Sequence, residues 1–141
     1  MQIARKTCDC YISEMKSEEF KRSPCPVANI LELVGDKWTL LIIRDILFGK
    51  RTYSDILSSA EKIPTNILAD RLKKLQSTGL IYKQAYQNKP VRYEYFLTDK
   101  GSDLQLVMKS MVKWSNKHIS GTYTEKQIAD FIEQQNVKTT K

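Results

Sequence analysis

Apolar residues recur along the chain with two periods, and the change from one to the other falls at Gly79. Before it the spacing is helical. Val27, Ile30, Leu31 and Val34 stand three or four residues apart and end at Gly35, which predicts a helix behind the breaker Pro24-Cys25-Pro26. Asp36 can cap the next helix. There Trp38, Leu40, Leu41, Ile42, Ile43, Ile46, Leu47 and Phe48 are apolar almost all round, which places that helix at the centre of the core. Gly49 ends it, and Lys50-Arg51 occupy the turn. Thr52 and Asp55 are spaced as a capping box for a short helix through Ile56, Leu57 and Ala60. Pro64 fits the first turn of a further helix, where its missing N–H costs little. Leu68, Leu72 and Leu75 form the buried stripe of that helix, and Gly79 stops it.

After Gly79 the period becomes two. Val91, Tyr93, Tyr95 and Leu97 alternate with Arg92, Glu94 and Phe96, a strand pattern. Leu80 to Tyr86 supply the partner strand and Gln87 to Pro90 a polar connection, giving a hairpin with Lys89 and Arg92 at its tip. Thr98 then caps a long helix striped by Leu104, Val107, Met108, Met111, Trp114 or Ser115, and Ile119. Thr124 and Gln127 are spaced to cap a last helix bearing Ile128, Phe131 and Ile132, and Asn136 to Lys141 reads as a loose tail. The predicted fold is mainly α with a small β-hairpin, a winged helix-turn-helix. Its divisions are an N-terminal arm over residues 1–23, a main domain over 24–120, and a C-terminal helix and tail over 121–141.

Charge sharpens this picture. The chain carries +7, and residues 61–98 hold seven Lys or Arg against three acidic residues, so that segment alone contributes +4 (7 − 3). Clustered cations suit a phosphate backbone, whose neutralisation releases counterions. The helix stripe sends Asn66, Asp70, Lys73 and Ser77 the opposite way, with Ala69 and Lys74 flanking and Thr65 and Arg71 on the shoulders. Thr65, Asn66, Ala69 and Lys73 are the candidates for contacts in the major groove of double-stranded DNA, and Asn66 is the best amide for adenine. Asp70 either accepts from cytosine or restrains Arg71, Lys73 or Lys74. Lys50, Arg51, Arg71 and Lys74 suit phosphate, which positions without specifying. Lys89 and Arg92 suit a narrow minor groove, unless Arg92 pairs with Glu94. The bland alternative for each is a solvated surface.

With 141 residues, 41% hydrophobic and 28% charged, the chain fits one globular domain. No apolar run approaches a membrane span, and the polar start is no secretory signal, so cytoplasmic residence without a membrane partner is expected. One His, no phosphate-cradling glycine loop and no metal-ligand spacing leave no catalytic, cofactor or metal constellation in view. Met108, Met111 and Trp114 line an effector pocket between helices or serve core or dimer packing; spacing alone does not choose. Cys8 and Cys10 make at most half a metal site, and a reactive arm explains them better.

Taken together, Cys25-Pro26-Val27, Gly35-Asp36-Lys37-Trp38-Thr39-Leu40-Leu41, Phe48-Gly49, Leu68 to Leu75, Gly79-Leu80-Ile81 and Arg92 to Thr98 with Gly101 resemble the HxlR family of bacterial and archaeal transcriptional regulators, a winged helix-turn-helix group similar to MarR regulators. The resemblance covers roughly residues 24–119. It implies a homodimer on a pseudo-palindromic operator, paired through about Pro24 to Gly35 and Asp99 to Ile119. It also implies a regulatory role for Cys25, as a sensor of oxidants or electrophiles near the dimer seam, with a buried small hydrophobe as the alternative. A small-molecule or oxidant effector would then be a further partner. The chain departs from the family where Ile63 stands in place of a frequent Ser before Pro64. A winged-helix module for protein or RNA partners is the competing function, separable by salt dependence and operator discrimination.

Overall fold

The computed structural model describes residues 23–139. Except for Ser23, the expected arm lies outside them, as do Cys8 and Cys10. The described residues form two compact units, one ending at Asp36 and the other beginning at Lys37.

The first unit holds helix α1 (Pro26–Val34). Pro26 fills the first helical position, where its fixed φ suits the helix, and Cys25 is the N-cap residue. The Asn29 side-chain amide ties down the entry, donating to the Ser23 and Cys25 carbonyls at 3.0 Å each. Val34 is buried, whereas Val27 and Leu31 are 64% and 54% exposed, so half of the predicted stripe faces outward.

The second unit runs α2 (Thr39–Leu47), α3 (Tyr53–Leu57), α4 (Thr65–Ser77), β1 (Ile81–Asn88), β2 (Val91–Leu97), α5 (Asp99–Asp103), α6 (Gln105–His118) and α7 (Glu125–Thr139). Its core includes the α2 and α4 stripes that the periodicity predicts. Ile42, Ile43 and Ile46 of α2 are buried with Ile56, Ile63, Leu68, Leu72, Leu75, Leu80 and Ile81. Each such side chain contributes roughly 1.5–3 kcal/mol by leaving water. The Thr52–Asp55 capping box is formed in both directions. Gly79 sits at φ +74°, the left-handed conformation that ends α4 and turns the chain into the hairpin.

β1 and β2 pair antiparallel from Ile81↔Leu97 to Asn88↔Val91, with a bulge between Ala85 and Gln87. The strand is longer than the alternation suggests. Gln87 and Asn88 belong to β1, leaving only Lys89-Pro90 as the connection, because the bulge carries the polar residues back into register. The wing is fastened to the helices where the Tyr95 N–H donates to the Arg51 carbonyl at 2.7 Å.

Four expectations need correction. α2 starts at Thr39 with Trp38 in the N-cap position, not directly after Asp36. Pro64 is extended (ψ 143°) and precedes α4 as its N-cap, so Thr65 is the first helical residue. The long helix after Thr98 is two: Leu104 closes α5 with a three-residue turn onto Gly101 and opens α6. Asn136 to Thr139 continue α7 and are not a loose tail, since the Thr124–Gln127 box starts the helix and no Gly or Pro follows to stop it.

The stripe on α6 is left largely uncovered. No α6 residue is buried. Leu106 is 73% and Trp114 60% exposed, and Met111 is half exposed. An amphipathic pattern fixes which face seeks cover but not which chain supplies it.

Candidate nucleic-acid interface

The candidate reading helix is held at both ends. At its start the Tyr53 hydroxyl of α3 donates to the Thr65 carbonyl at 2.9 Å. Beyond its end the Lys100 ammonium donates to the Thr78 carbonyl at 3.0 Å, and the Thr98 hydroxyl to the Gly79 carbonyl at 2.6 Å. Between these ties Leu68, Leu72 and Leu75 point into the core, and Thr65, Asn66, Ala69, Asp70 and Lys73 point to solvent. The predicted division of the helix into a supporting and a free face is therefore present.

The cations divide into engaged and open groups. Arg71 pairs with Asp70 next to it, which is one of the two roles considered for Asp70. Lys50 turns inward: its ammonium donates to the Ser59 hydroxyl at 2.8 Å and lies 3.9 Å from the Asp45 carboxylate. Arg51 donates through Nη1 to the Ile46 carbonyl at 2.9 Å and the Lys50 carbonyl at 3.2 Å, and lies over the Phe96 ring. Lys74 is half-buried. Among the described residues no ion pair holds Lys73, Lys89 or Arg92. Lys73 belongs to α4 and the other two to the wing tip; all three are exposed, and Arg92 stands opposite Gln87 across the hairpin.

A polar cluster that sequence reasoning missed ties the loop before α4 to α2. Asp45 is 4% exposed inside the apolar run of α2. It accepts from the Arg44 guanidinium at 2.7 Å and from the Ser59 hydroxyl in the loop before α4. Arg44 reaches on to Glu61 in a bidentate pair at 2.7 and 2.9 Å. The loop from Ser58 to Pro64 is thereby hydrogen-bonded back to α2. The signal was present: two charged residues, Arg44-Asp45, in an otherwise apolar stretch are unusual unless paired.

Hydrogen bonding from Arg44 holds the Glu61 carboxyl at about 2, below its ordinary 4.5, and the same bond raises the Arg44 pKa. Asp55 is also lowered: desolvation opposes the shift, but the Thr52 backbone and hydroxyl outweigh it. A depressed carboxylate stabilises the fold fully above its unfolded pKa and loses that contribution as pH falls. Stability to urea should therefore decline from about pH 4.5 towards pH 2. Glu61→Gln should cost about 1 kcal/mol or less at neutral pH, because the pair is partly exposed and screened. It should also flatten the acid decline, measured as urea midpoint against pH.

Comparison with known proteins follows the same segment. The family model described as HxlR-like helix-turn-helix matches residues 33–123. An uncharacterized HTH-type transcriptional regulator of Mycobacterium bovis is 37% identical over 93 residues, 66% of this chain and 58% of that protein. The chain thus spans under two thirds of the length of this relative. The HTH-type transcriptional regulator YodB of Bacillus subtilis is 32% identical over 94 residues, 66% of this chain and 84% of the relative. The reduced form of YodB superimposes with a TM-score of 0.59 at 30% identity, covering 70% of this chain and 98% of the other. Its diamide-treated form does so with a TM-score of 0.56 at 31% identity, covering 69% and 97%.

Proposed function

The chain belongs to the HxlR-like helix-turn-helix family, and from that premise we propose that it is a sequence-specific DNA-binding transcriptional regulator, acting in the cytoplasm as a homodimer on a pseudo-palindromic operator. The observation that carries this is the free face of α4 beside the wing, with Lys73, Lys89 and Arg92 outside any ion pair among the described residues. α4 enters the major groove. Asn66 reads a base edge there, with Thr65, Ala69 and Lys73 beside it. Lys89 and Arg92 enter or flank the minor groove. Arg71 and Lys74 approach phosphates from the shoulders of α4, whereas Lys50 and Arg51 are tied to their own chain and contribute mainly field.

Pairing uses apolar surface that each unit leaves open. Val27 and Leu31 of α1 and Leu106, Met111 and Trp114 of α6 are all more than half exposed. Burying them against a second copy removes a liability that a monomer would carry into water. Residues 24–120 then form the DNA-binding and dimerisation domain, and 121–141 add α7 and the end of the chain. The two reading helices sit about 34–36 Å apart, one turn of the duplex.

The test is titration of the full chain on its own upstream promoter and on scrambled duplex over a range of salt. Specific binding weakens steeply with salt and exceeds scrambled binding by about a thousandfold or more. Arg92→Ala lowers affinity for both duplexes alike and reduces the salt slope by about one. Equal affinity for operator and scrambled DNA, or tighter binding to RNA, leaves the protein or RNA interaction module as the function.

Regulation through Cys25 is part of the same proposal. The thiol is exposed at the head of α1, and its backbone N–H is bonded to the Ser23 hydroxyl at 3.2 Å. Structures of the relative YodB include reduced, diamide-treated and quinone-bound forms. Diamide should yield a chain dimer on a non-reducing gel, reversed by dithiothreitol, together with reduced operator affinity. Cys25→Ser should abolish both changes; if it responds to diamide as the wild type does, Cys8 or Cys10 carries the sensitivity instead.

A further inference from the structure

Near its tip the wing holds an oriented amide that the cations do not account for. β2 alternates regularly, so Tyr93 and Val91 lie on one face of the hairpin and Arg92 on the other. β1 breaks step: Ala85 pairs with Tyr93, but Gln87 pairs with Arg92. Uninterrupted alternation would set Tyr86 opposite Arg92. The bulge takes up Tyr86 as the extra residue and brings Gln87 onto the face of Arg92 instead. Gln87 is half-buried, whereas Asn88, Lys89 and Arg92 around it are exposed. Its Nε2 donates to the Lys89 carbonyl at 3.2 Å. A carbonyl oxygen accepts only from the NH2 end of an amide, so this bond fixes which way round the group stands. Oε1 is the end left over, with no hydrogen-bond partner among the described residues.

An acceptor held in this way has one complement on the floor of a minor groove. A·T and T·A pairs offer only acceptors there, adenine N3 and thymine O2, whereas G·C adds the guanine 2-amino donor. An oxygen aimed at the floor is repelled by the first kind of pair and bonded by the second. Glutamine is among the side chains that make this readout, and a neighbouring arginine is held by the negative potential of the groove. A glutamine without a tie would turn its amide to suit either pair; the bond to the Lys89 carbonyl orients it in advance. We infer that Gln87 is a specificity-determining residue of the wing. Its Oε1 takes the 2-amino group of guanine and selects a G·C pair at one minor-groove position in each half-site. The inference rests on the DNA-binding function proposed above and adds a reading point separate from Asn66 in the major groove.

Inosine tests this without altering the major-groove edge, because an I·C pair lacks the 2-amino group and keeps N7 and O6. The full chain is titrated on operator duplexes, obtained by selection from a randomised pool, in which each guanine and its symmetry mate are replaced in turn. Wild type should lose about tenfold in affinity at one such pair of positions. Gln87→Met, similar in length but without the acceptor, should bind the unmodified operator about tenfold more weakly and lose nothing further to inosine there. Placing 2,6-diaminopurine opposite thymine at the same positions restores the donor, and should support wild-type binding at the level of G·C. The two base replacements on wild type decide the matter if Gln87→Met does not fold. Wild-type binding indifferent to inosine at every guanine, or equal inosine losses in wild type and Gln87→Met, would overturn the role of Gln87 and leave the regulator standing. Absence of any preferred duplex in the selection would overturn both.

Discussion

Gly101→Ala should destabilise the protein by about 3 kcal/mol or more, although the same change inside a helix ordinarily stabilises by about 0.5–1 kcal/mol. The reversal follows from what stands over the residue. A Cβ at position 101 would lie 2.0 Å from the Leu80 carbonyl oxygen and 3.0 Å from its carbon, with the Leu97 side chain at 3.3 Å. The nearest obstacle is backbone, so no side-chain rotation relieves it. That carbonyl also accepts the Thr98 N–H at 3.1 Å, and the neighbouring Gly79 carbonyl accepts the Thr98 hydroxyl. Lifting α5 far enough to admit a methyl group strains these bonds together, along with the Lys100 contact to Thr78. Urea unfolding of Gly101→Ala, compared with Asp103→Ala on the exposed side of the same short helix, checks this. The control should lie within about 0.5 kcal/mol of wild type. If both variants unfold at the wild-type midpoint, α5 is free to slide and the close approach has no energetic weight.

The largest functional effect is expected from Asn66→Ala. A bidentate amide on adenine is worth about 1–3 kcal/mol of discrimination. A two-fold dimer uses it twice, so operator affinity should fall by about 2–6 kcal/mol, thirtyfold or more. Affinity for scrambled duplex should hardly move, because the amide makes no phosphate contact in the proposed arrangement. Selection from a randomised operator should show relaxed preference at one position in each half-site. Parallel losses on operator and scrambled DNA would place Asn66 at the backbone and leave base reading to Thr65 or Lys73. Melting temperature provides the control, since Asn66 is exposed and lies off the leucine stripe.

Much of the architecture was legible in the sequence because it depends on local rules. The all-round apolar run at 38–48 became the central helix. The Thr52–Asp55 and Thr124–Gln127 spacings became capping boxes, and alternation from Val91 to Leu97 became a strand. The leucine triplet of α4 also assigned its opposite face, which is why Thr65, Asn66, Ala69 and Lys73 emerged exposed. What escaped depends on groups distant in the chain. Lys50 and Arg51 read as free cations in a turn, yet Ser59 and the Ile46 carbonyl claim them. Asp45 lies within an apolar run and is the buried acceptor for Arg44 and Ser59. The break at Leu104 was invisible because helical periodicity continues through it; the clue was Gly101, whose missing side chain lets α5 meet the Leu80 carbonyl. The stripe on α6 carried the right pattern and an incomplete message, since periodicity is silent about whether the covering surface lies on the same chain.

The segregation of α4 into two faces also bears on how such a protein can change over generations. Positions 65, 66, 69 and 73 carry the proposed recognition, and 68, 72 and 75 carry the fold; no residue serves both. Substitutions in the first set are therefore nearly invisible to folding. A duplicated copy of the gene can wander among target sequences while its scaffold stays under unaltered constraint, and new regulatory circuits can arise from a handful of codon changes on one side of a single helix.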